Sequence, residues 1–363
     1  MRHIYSLPVK RKARILLSVL TVVLLGGLGW LALPPRDSLF HGRLESEWIK
    51  GITYGMSLSD SQNQEQLQRW RDFGPEGLRM IERGLDHATR GRTYRNIHRR
   101  LSRLPWMPVR LLPAPQMDTM RAARMNVLDL LWRMGKDAWP ASAAVARALA
   151  DEDPGVRQIA ITFFTHPEDD TAFLNQMSRR DKERLLPHFI RALGDNGPNW
   201  GLRNNAALAL RYYPEQARLV TPTLAKALQD PSAYVRLMSA EALNRVDANA
   251  AKTAGAAGVM ITLMQDPDDQ VASRAAFALR QFQTEPEAAV SALIEALHST
   301  NSNVACDAVW SLEWAFPKHA DRIIPEMRKA AERKDSVGGY ARSALKHLES
   351  NPPAGPSARA AAR

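Results

Sequence analysis

Six segments of the chain superpose when Val156, Leu202, Val235, Val271, Val304 and Tyr340 are taken as position zero, at spacings of 46, 33, 36, 33 and 36 residues. Four positions on, each has a small side chain: Ala160, Ala206, Ser239, Ala275, Ala308 and Ala344. Eight positions on stand Phe164, Leu210, Leu243, Leu279, Leu312 and Leu348. Offsets of zero, four and eight share one face of a helix, and a small residue in the middle of that face lets a neighbouring helix come close. Such a chain must pack helices in series.

A further helix precedes each of these, ending near Leu149, Leu193, Leu228, Met264 and Leu297. Pro187, Pro222 and Pro325 fall near the expected starts of such helices, where the missing N–H of proline does no harm. Between the two helices stand Asp153-Pro154, Asp230-Pro231 and Asp266-Pro267, with the Asp placed to cap the second helix and the Pro in its first turn. Each repeat is then a helical hairpin that cannot bury its apolar face alone and must stack on its neighbours. The expected fold is all-α, a right-handed α-solenoid of stacked hairpins over residues 122–350, behind one N-terminal transmembrane helix.

The strings Leu-Ala-Asp-Glu-Asp-Pro-Gly-Val-Arg at 149–157 and Leu-Gln-Asp-Pro-Ser-Ala-Tyr-Val-Arg at 228–236 resemble HEAT repeats of the short bacterial type. The resemblance covers about two thirds of the chain. It implies a ladder of turn Asp and post-Val Arg along the stack, which carries over to Asp153, Arg157, Asp230 and Arg236, with Arg203 in a divergent repeat. Ala272 stands where the next Arg would be, and the last two segments lack Asp-Pro, so the ladder is expected to weaken toward the C-terminus. The resemblance implies a fold and leaves activity open, because this fold hosts scaffolds, lyases and DNA glycosylases.

The formal net charge of +11 would suggest nucleic acid, so its position matters. Residues 1–14 carry +5, 15–35 carry no charge, 36–121 carry +5, 122–350 carry −1 and the tail 351–363 adds +2. A near-neutral solenoid argues against nucleic acid, whose binding draws on phosphate neutralisation. From Ile15 to Leu33 run 19 uncharged residues, a helical length of roughly 28 Å that fits a bilayer's hydrocarbon core. Five Lys/Arg precede this span and three follow closely, which keeps the N-terminus cytoplasmic and sends the solenoid into a periplasm or outside the cell. The expected location is therefore the inner membrane, single-pass. A cleaved signal peptide is the alternative, with a weak small-residue site at Gly27 and Gly29.

Residues 34–86 read as a juxtamembrane segment with a degenerate first hairpin, through Phe40, Trp48, Leu67, Trp70, Phe73-Gly74-Pro75, Leu78 and Ile81. Residues 87–121 read as an Arg- and Pro-rich insertion. There Ile97, Leu101 and Leu104 share a helical face while Arg95, Arg99, Arg100 and Arg103 occupy the remainder, with Trp106 at its end. This arm suits an anionic membrane surface, an acidic partner, or packing on the solenoid with solvated Arg heads. Residues 351–363 are low-complexity and expected to be disordered.

No H-E-x-x-H, phosphate loop, G-x-S-x-G or Cys/His cluster is present, so no metal, cofactor or catalytic residue is expected. Ser343 and Lys346 match S-x-x-K but lie within the last repeat without companion motifs, and His166 to Asp170 reads as a polar turn. Cys306 reads as a packing residue. Surface left over after stacking is what a solenoid binds with. Offset six, opposite the packed stripe, carries Phe277 and Trp310, and offsets nine and ten carry Arg211, Tyr212, Arg280 and Trp314. Arginine with aromatics is the composition of binding hot spots, although the same rings could seal contacts between repeats. The expected function is a non-catalytic membrane-anchored scaffold that binds a protein or extended polypeptide. The alternatives are an enzyme on the same fold, lyase-like or glycosylase-like, and a purely structural envelope spacer. No small-molecule ligand is indicated or excluded.

Overall fold

A computed structural model of the chain describes residues 26–27, 37–52, 59–103, 121–165, 167–168 and 171–350. The anchor span 15–33, apart from Gly26 and Gly27, lies outside the described residues, as do residues 104–120 and the tail. Among the described residues no helix is long and apolar enough to cross a membrane. The chain divides into two compact units, 1–170 and 171–363.

The first unit opens with a short ribbon, β1 (Leu39–Phe40) against β2 (Arg43–Leu44), antiparallel. Its two-residue turn places His41 at φ 46° and Gly42 at φ 76°, the left-handed pair that a tight hairpin requires. Helix α1 (Glu45–Lys50) follows, then α2 (Asp60–Asp72), which Ser59 and Gln62 close with a reciprocal capping box. Gly74, at φ 54°, turns the chain from α2 directly into α3 (Gly74–Leu101). The rings of Phe40, Trp48, Trp70 and Phe73 meet edge to face, and the Trp48 indole N–H donates to the Phe40 carbonyl at 2.8 Å. Glu45, buried, accepts two hydrogen bonds from Arg83.

One expectation is filled in here and one changes. The juxtamembrane segment before the first hairpin is a two-stranded ribbon and a short helix, for which the sequence expectation gave no structure. Helix α3 also runs for 28 residues straight through residue 87, where the insertion was expected to begin. Arg is a good helix former and no proline intervenes between Pro75 and Pro105, so the change in charge composition is not a break in structure. The unit continues with α4 (Arg121–Met134), a 3₁₀ turn over Gly135–Ala141, α5 (Ser142–Ala148) and α6 (Pro154–Phe164). Val156, Ala160 and Phe164 on α6 are fully buried.

The second unit begins with α7 (Phe173–Gln176) and continues as hairpins: α8 (Arg179–Leu193) with α9 (Trp200–Leu210), then α10 (Ala217–Ala227) with α11 (Ala233–Val246). A one-turn helix α12 (Ala248–Thr253) precedes α13 (Ala256–Leu263), which pairs with α14 (Asp269–Ala278). The last two hairpins are α15 (Pro286–Ala296) with α16 (Ser302–Ala315), and α17 (Ala320–Ala331) with α18 (Ser336–Ser350). Consecutive second helices α9, α11, α14, α16 and α18 pack on one another in order. The small side chains Ala206, Ser239, Ala275 and Ala308 are fully buried in that row, which is what close helix approach demands.

Three details of the register are corrected. In the last hairpin Tyr340 is 55% exposed, while Val337 and Ala341 are fully buried. Val337, 33 residues from Val304, takes the place expected of Tyr340, while Ala344 and Leu348 are buried as expected and Leu345 is half-buried. The buried stripe of α18 therefore runs through Val337, Ala341, Ala344 and Leu348. Pro187, Pro222 and Pro325 lie inside α8, α10 and α17 rather than at their starts. Ser178 caps α8 two turns earlier, and the 3₁₀ turns Pro214–Gln216 and Pro317–His319 lead into the other two. Finally, of the Asp-Pro pairs only Asp153 caps its helix. Helix α11 starts after Ser232, and α14 is capped by Asp268.

Candidate binding surface

The two polar systems of the repeats sit on different parts of the second helices. At the entry to each helix, the residue after position zero is Arg157, Arg203 or Arg236, and each donates through Nη1 to the carbonyl six residues back, Asp151, Gly197 or Asp230, at 2.6–3.0 Å. This ties the turn to the helix it precedes. Arg203 also pairs bidentately with Asp230 of the following hairpin at 2.7 and 3.1 Å, and both side chains are nearly buried. Arg236 reaches Asp266 of the next hairpin at 3.9 Å and is more open to solvent. At Ala272 the Arg series stops. The ionic rungs therefore run from the Arg of one hairpin to the Asp of the next.

Asp153 takes no part in that arrangement, contrary to the carry-over from the family pattern. Its carboxylate caps α6 through Gly155 and Val156 and pairs with Arg121. The residue five before position zero in that repeat is Asp151, and it pairs with buried Arg124 at 3.3 Å. Matching Asp-Pro to Asp-Pro misplaced the acid by two residues, because the Pro lies at different helix positions in the two turns.

The second system lies on the face turned away from the packed stripe. The Arg280 guanidinium carbon sits 3.7 Å from the Phe277 ring centre and 5.1 Å from that of Trp310. Phe277 and Trp310 are 5.5 Å apart, Trp310 and Trp314 6.1 Å, and Trp314 and His347 4.7 Å. The rings thus form a continuous column across α14, α16 and α18. Trp310 is 41% and Trp314 56% exposed, which is a large apolar area to leave in water. Earlier in the same unit, Tyr212 lies under two guanidinium groups, Arg211 at 5.7 Å and Arg245 at 5.9 Å.

Glu241 on this face is already matched. Arg274 pairs bidentately with buried Glu241 of the preceding second helix at 3.0 and 3.2 Å, which raises the Arg274 pKa against the opposing effect of its own burial. Glu313 stands 2.9 Å from His347 Nδ1. Arg245 and His347 were absent from the sequence expectation. Both are at offset ten, the position of Tyr212 and Trp314, so the same register could have found them once the last repeat is placed on Val337.

Of the arm residues, Arg99, Arg100 and Arg103 are exposed at the C-terminal end of α3, with Ile97 and Leu101 half-buried. The Arg95 side chain and Trp106 lie outside the described residues, as do His166, Asp169 and Asp170. Ser343 and Lys346 are both exposed, and Cys306 lies 3.7 Å from the Ser336 hydroxyl. Among the described residues no group of three His, Cys, Asp or Glu side chains is arranged to hold a metal ion.

Residues 257–346 match the family described as HEAT repeats, and residues 220–248 match the single HEAT repeat. A comparison with curated proteins finds no match. Among solved structures, an engineered protein is 17% identical over 76% of this chain and 74% of its own, with a TM-score of 0.45. A designed armadillo repeat protein is 19% identical over 56% of this chain and 98% of its own, with a TM-score of 0.38. The archaeal HEAT-like repeats protein from Thermococcus onnurineus NA1 is 14% identical over 62% and 93%, with a TM-score of 0.39. The chain carries an all-α HEAT-repeat solenoid, with its matched repeats at 220–248 and 257–346.

Proposed function

We propose that this protein is a non-catalytic scaffold, held in a membrane by residues 15–33, whose HEAT repeats bind a protein or extended polypeptide outside the cytoplasm. HEAT repeats mediate protein interactions in general, and the observation that carries the reading here is the exposed column of Phe277, Trp310 and Trp314 with Arg280 stacked at its head. Ring surface that served only to seal repeat contacts would gain by being covered, whereas more than half of Trp314 faces solvent. The anchor rests on the uncharged 19-residue span and on the five basic residues before it. Arg99, Arg100 and Arg103, exposed at the end of α3, would add attraction to an anionic membrane surface.

The test is chemical crosslinking of the full chain in its host membrane, with Trp310→Ala/Trp314→Ala compared against wild type. Loss of crosslinked partners with an unchanged thermal midpoint is expected. Retained partners with a melting temperature lowered by many degrees would assign the rings to packing. For topology, a C-terminal alkaline phosphatase fusion is expected to be active, and an inactive fusion with an active cytoplasmic reporter would refute the orientation.

A further inference from the structure

Resting on the reading that this face is the binding surface, we infer that its ligand is an extended acidic polypeptide whose carboxylates step along Arg211, Arg245 and Arg280 and whose apolar end seats on Trp310 and Trp314. Three consecutive hairpins each place one arginine at offset nine or ten, at or just beyond the C-terminal end of the second helix, and the following hairpin places tryptophan at offsets six and ten. The basic and aromatic parts of the strip are therefore ordered along the stack.

These three arginines have no ion-pair partner among the described residues, unlike the arginines of the entry turns. Each is instead laid over a ring, Arg211 and Arg245 over Tyr212 and Arg280 over Phe277 and Trp310. At 3.7 Å, stacking on Phe277 fixes the plane of the Arg280 guanidinium and leaves its N–H edge to meet a carboxylate in a bidentate fork, while Arg211 and Arg245 are held more loosely near Tyr212. Glu241 is paired with Arg274, and Glu313 stands on the tryptophan-bearing helix α16, 2.9 Å from His347 Nδ1. What remains is a row of uncompensated positive charge on a solenoid segment, 122–350, whose own net charge is −1. That complementarity selects an acidic ligand and disfavours a basic one.

Helix spacing sets the form of the ligand. Adjacent packed helices lie roughly 8–10 Å apart, and an extended chain in the polyproline II form returns a side chain to the same face every third residue, roughly 9 Å on, so one acidic residue in three keeps step with the hairpins. A helical ligand would need its acids about seven residues apart, since two turns rise roughly 11 Å, so acids at every third residue keep step only in the extended form.

Short synthetic peptides ending in Phe-Leu, with Glu at every second, third or fourth position, and matched Gln and Lys versions, supply the probe. They are titrated against the full chain in detergent. The third-position Glu peptide is expected to bind about tenfold more tightly than its Gln version, with the advantage shrinking as salt is raised. Arg211→Glu/Arg245→Glu/Arg280→Glu should reverse the preference toward the Lys peptide, with helicity by circular dichroism unchanged. Should that variant lose its helicity, Arg211→Gln/Arg245→Gln/Arg280→Gln must bring the Glu and Gln peptides to equal affinity. Equal binding of Glu and Gln peptides to wild type, lost in Trp310→Ala/Trp314→Ala, would overturn the acidic ligand and leave the binding face intact. Absence of any peptide binding, with partners still crosslinked through Trp310 and Trp314, would overturn it equally. If Trp310→Ala/Trp314→Ala also leaves crosslinked partners unchanged, the binding face itself fails.

Discussion

The hairpins at the start of the second unit and those at its end are joined by different chemistry on the same helical register. Between α9 and α11 the bond is Arg203 with Asp230, both nearly out of water. Between α14, α16 and α18 the ionic rungs have stopped at Ala272, and Phe277, Trp310, Trp314 and His347 touch ring to ring in partial exposure. A buried ion pair is committed to the structure, because each charge needs the other. An exposed ring column keeps most of its contact capacity in reserve. The comparison separates the ionic rungs at the helix entries, which hold the stack, from the rings on the face turned away from the packed stripe, which remain available to a ligand.

The largest expected effect follows from that commitment. Arg203→Met leaves Asp230 buried without its cation and should cost about 3–5 kcal/mol, while Arg203→Met with Asp230→Leu should recover most of the loss. Chemical denaturation of the two variants checks both. A second prediction tests what the two regions share. Ala206→Leu and Ala275→Leu insert bulk into the fully buried middle of the stripe in each half, and each should cost about 1–3 kcal/mol. Unequal costs would mean that the register does not pack alike along the stack.

A smaller effect is expected at the looser rung. Arg236 and Asp266 are 3.9 Å apart and partly solvated, so Arg236→Met should cost at most about 1 kcal/mol. The smallest is a pH effect in the aromatic half. Asp307, which accepts a hydrogen bond from Ser273, has no cation beside it among the described residues, and burial raises its pKa above the ordinary carboxylate value. A raised carboxyl pKa means that the folded form holds its proton more tightly than the unfolded form. Its contribution to stability is present at low pH and is lost as pH rises through the folded pKa. Asp307→Asn should therefore raise the melting temperature slightly at pH 7 and lose that advantage toward acid pH. An advantage constant with pH would show that ionisation of Asp307 is not its origin.

Much of this architecture was legible because helix packing imposes a strict period. Val235, Ser239 and Leu243, and their counterparts in four other segments, are buried where the zero, four and eight offsets put them. Turn chemistry was less legible. Asp153 and Asp230 share an Asp-Pro dipeptide, yet one caps a helix and the other closes a rung, since a two-residue difference in where the helix begins is invisible in the dipeptide itself. The last helix misled only at its start, where Val337 is buried and Tyr340 is exposed, although Ala344 and Leu348 are buried as the pattern puts them. That shift of three residues also hid His347, which closes the ring column. Arg245 was visible at offset ten and went unrecognised because arginine alone is ordinary on a helix surface, and only its position over Tyr212 marks it.

The central claim is that the ring-bearing face of the second helices, and not the outer face of the first helices, meets the partner. Photo-crosslinking residues placed at Gln281 on the former and at Glu295 on the latter, both exposed, test it most directly. Adducts from position 281 that disappear in Trp310→Ala/Trp314→Ala, with none from position 295, are the predicted result. Adducts of the same partner from position 295, or adducts from 281 indifferent to the loss of both tryptophans, would contradict it.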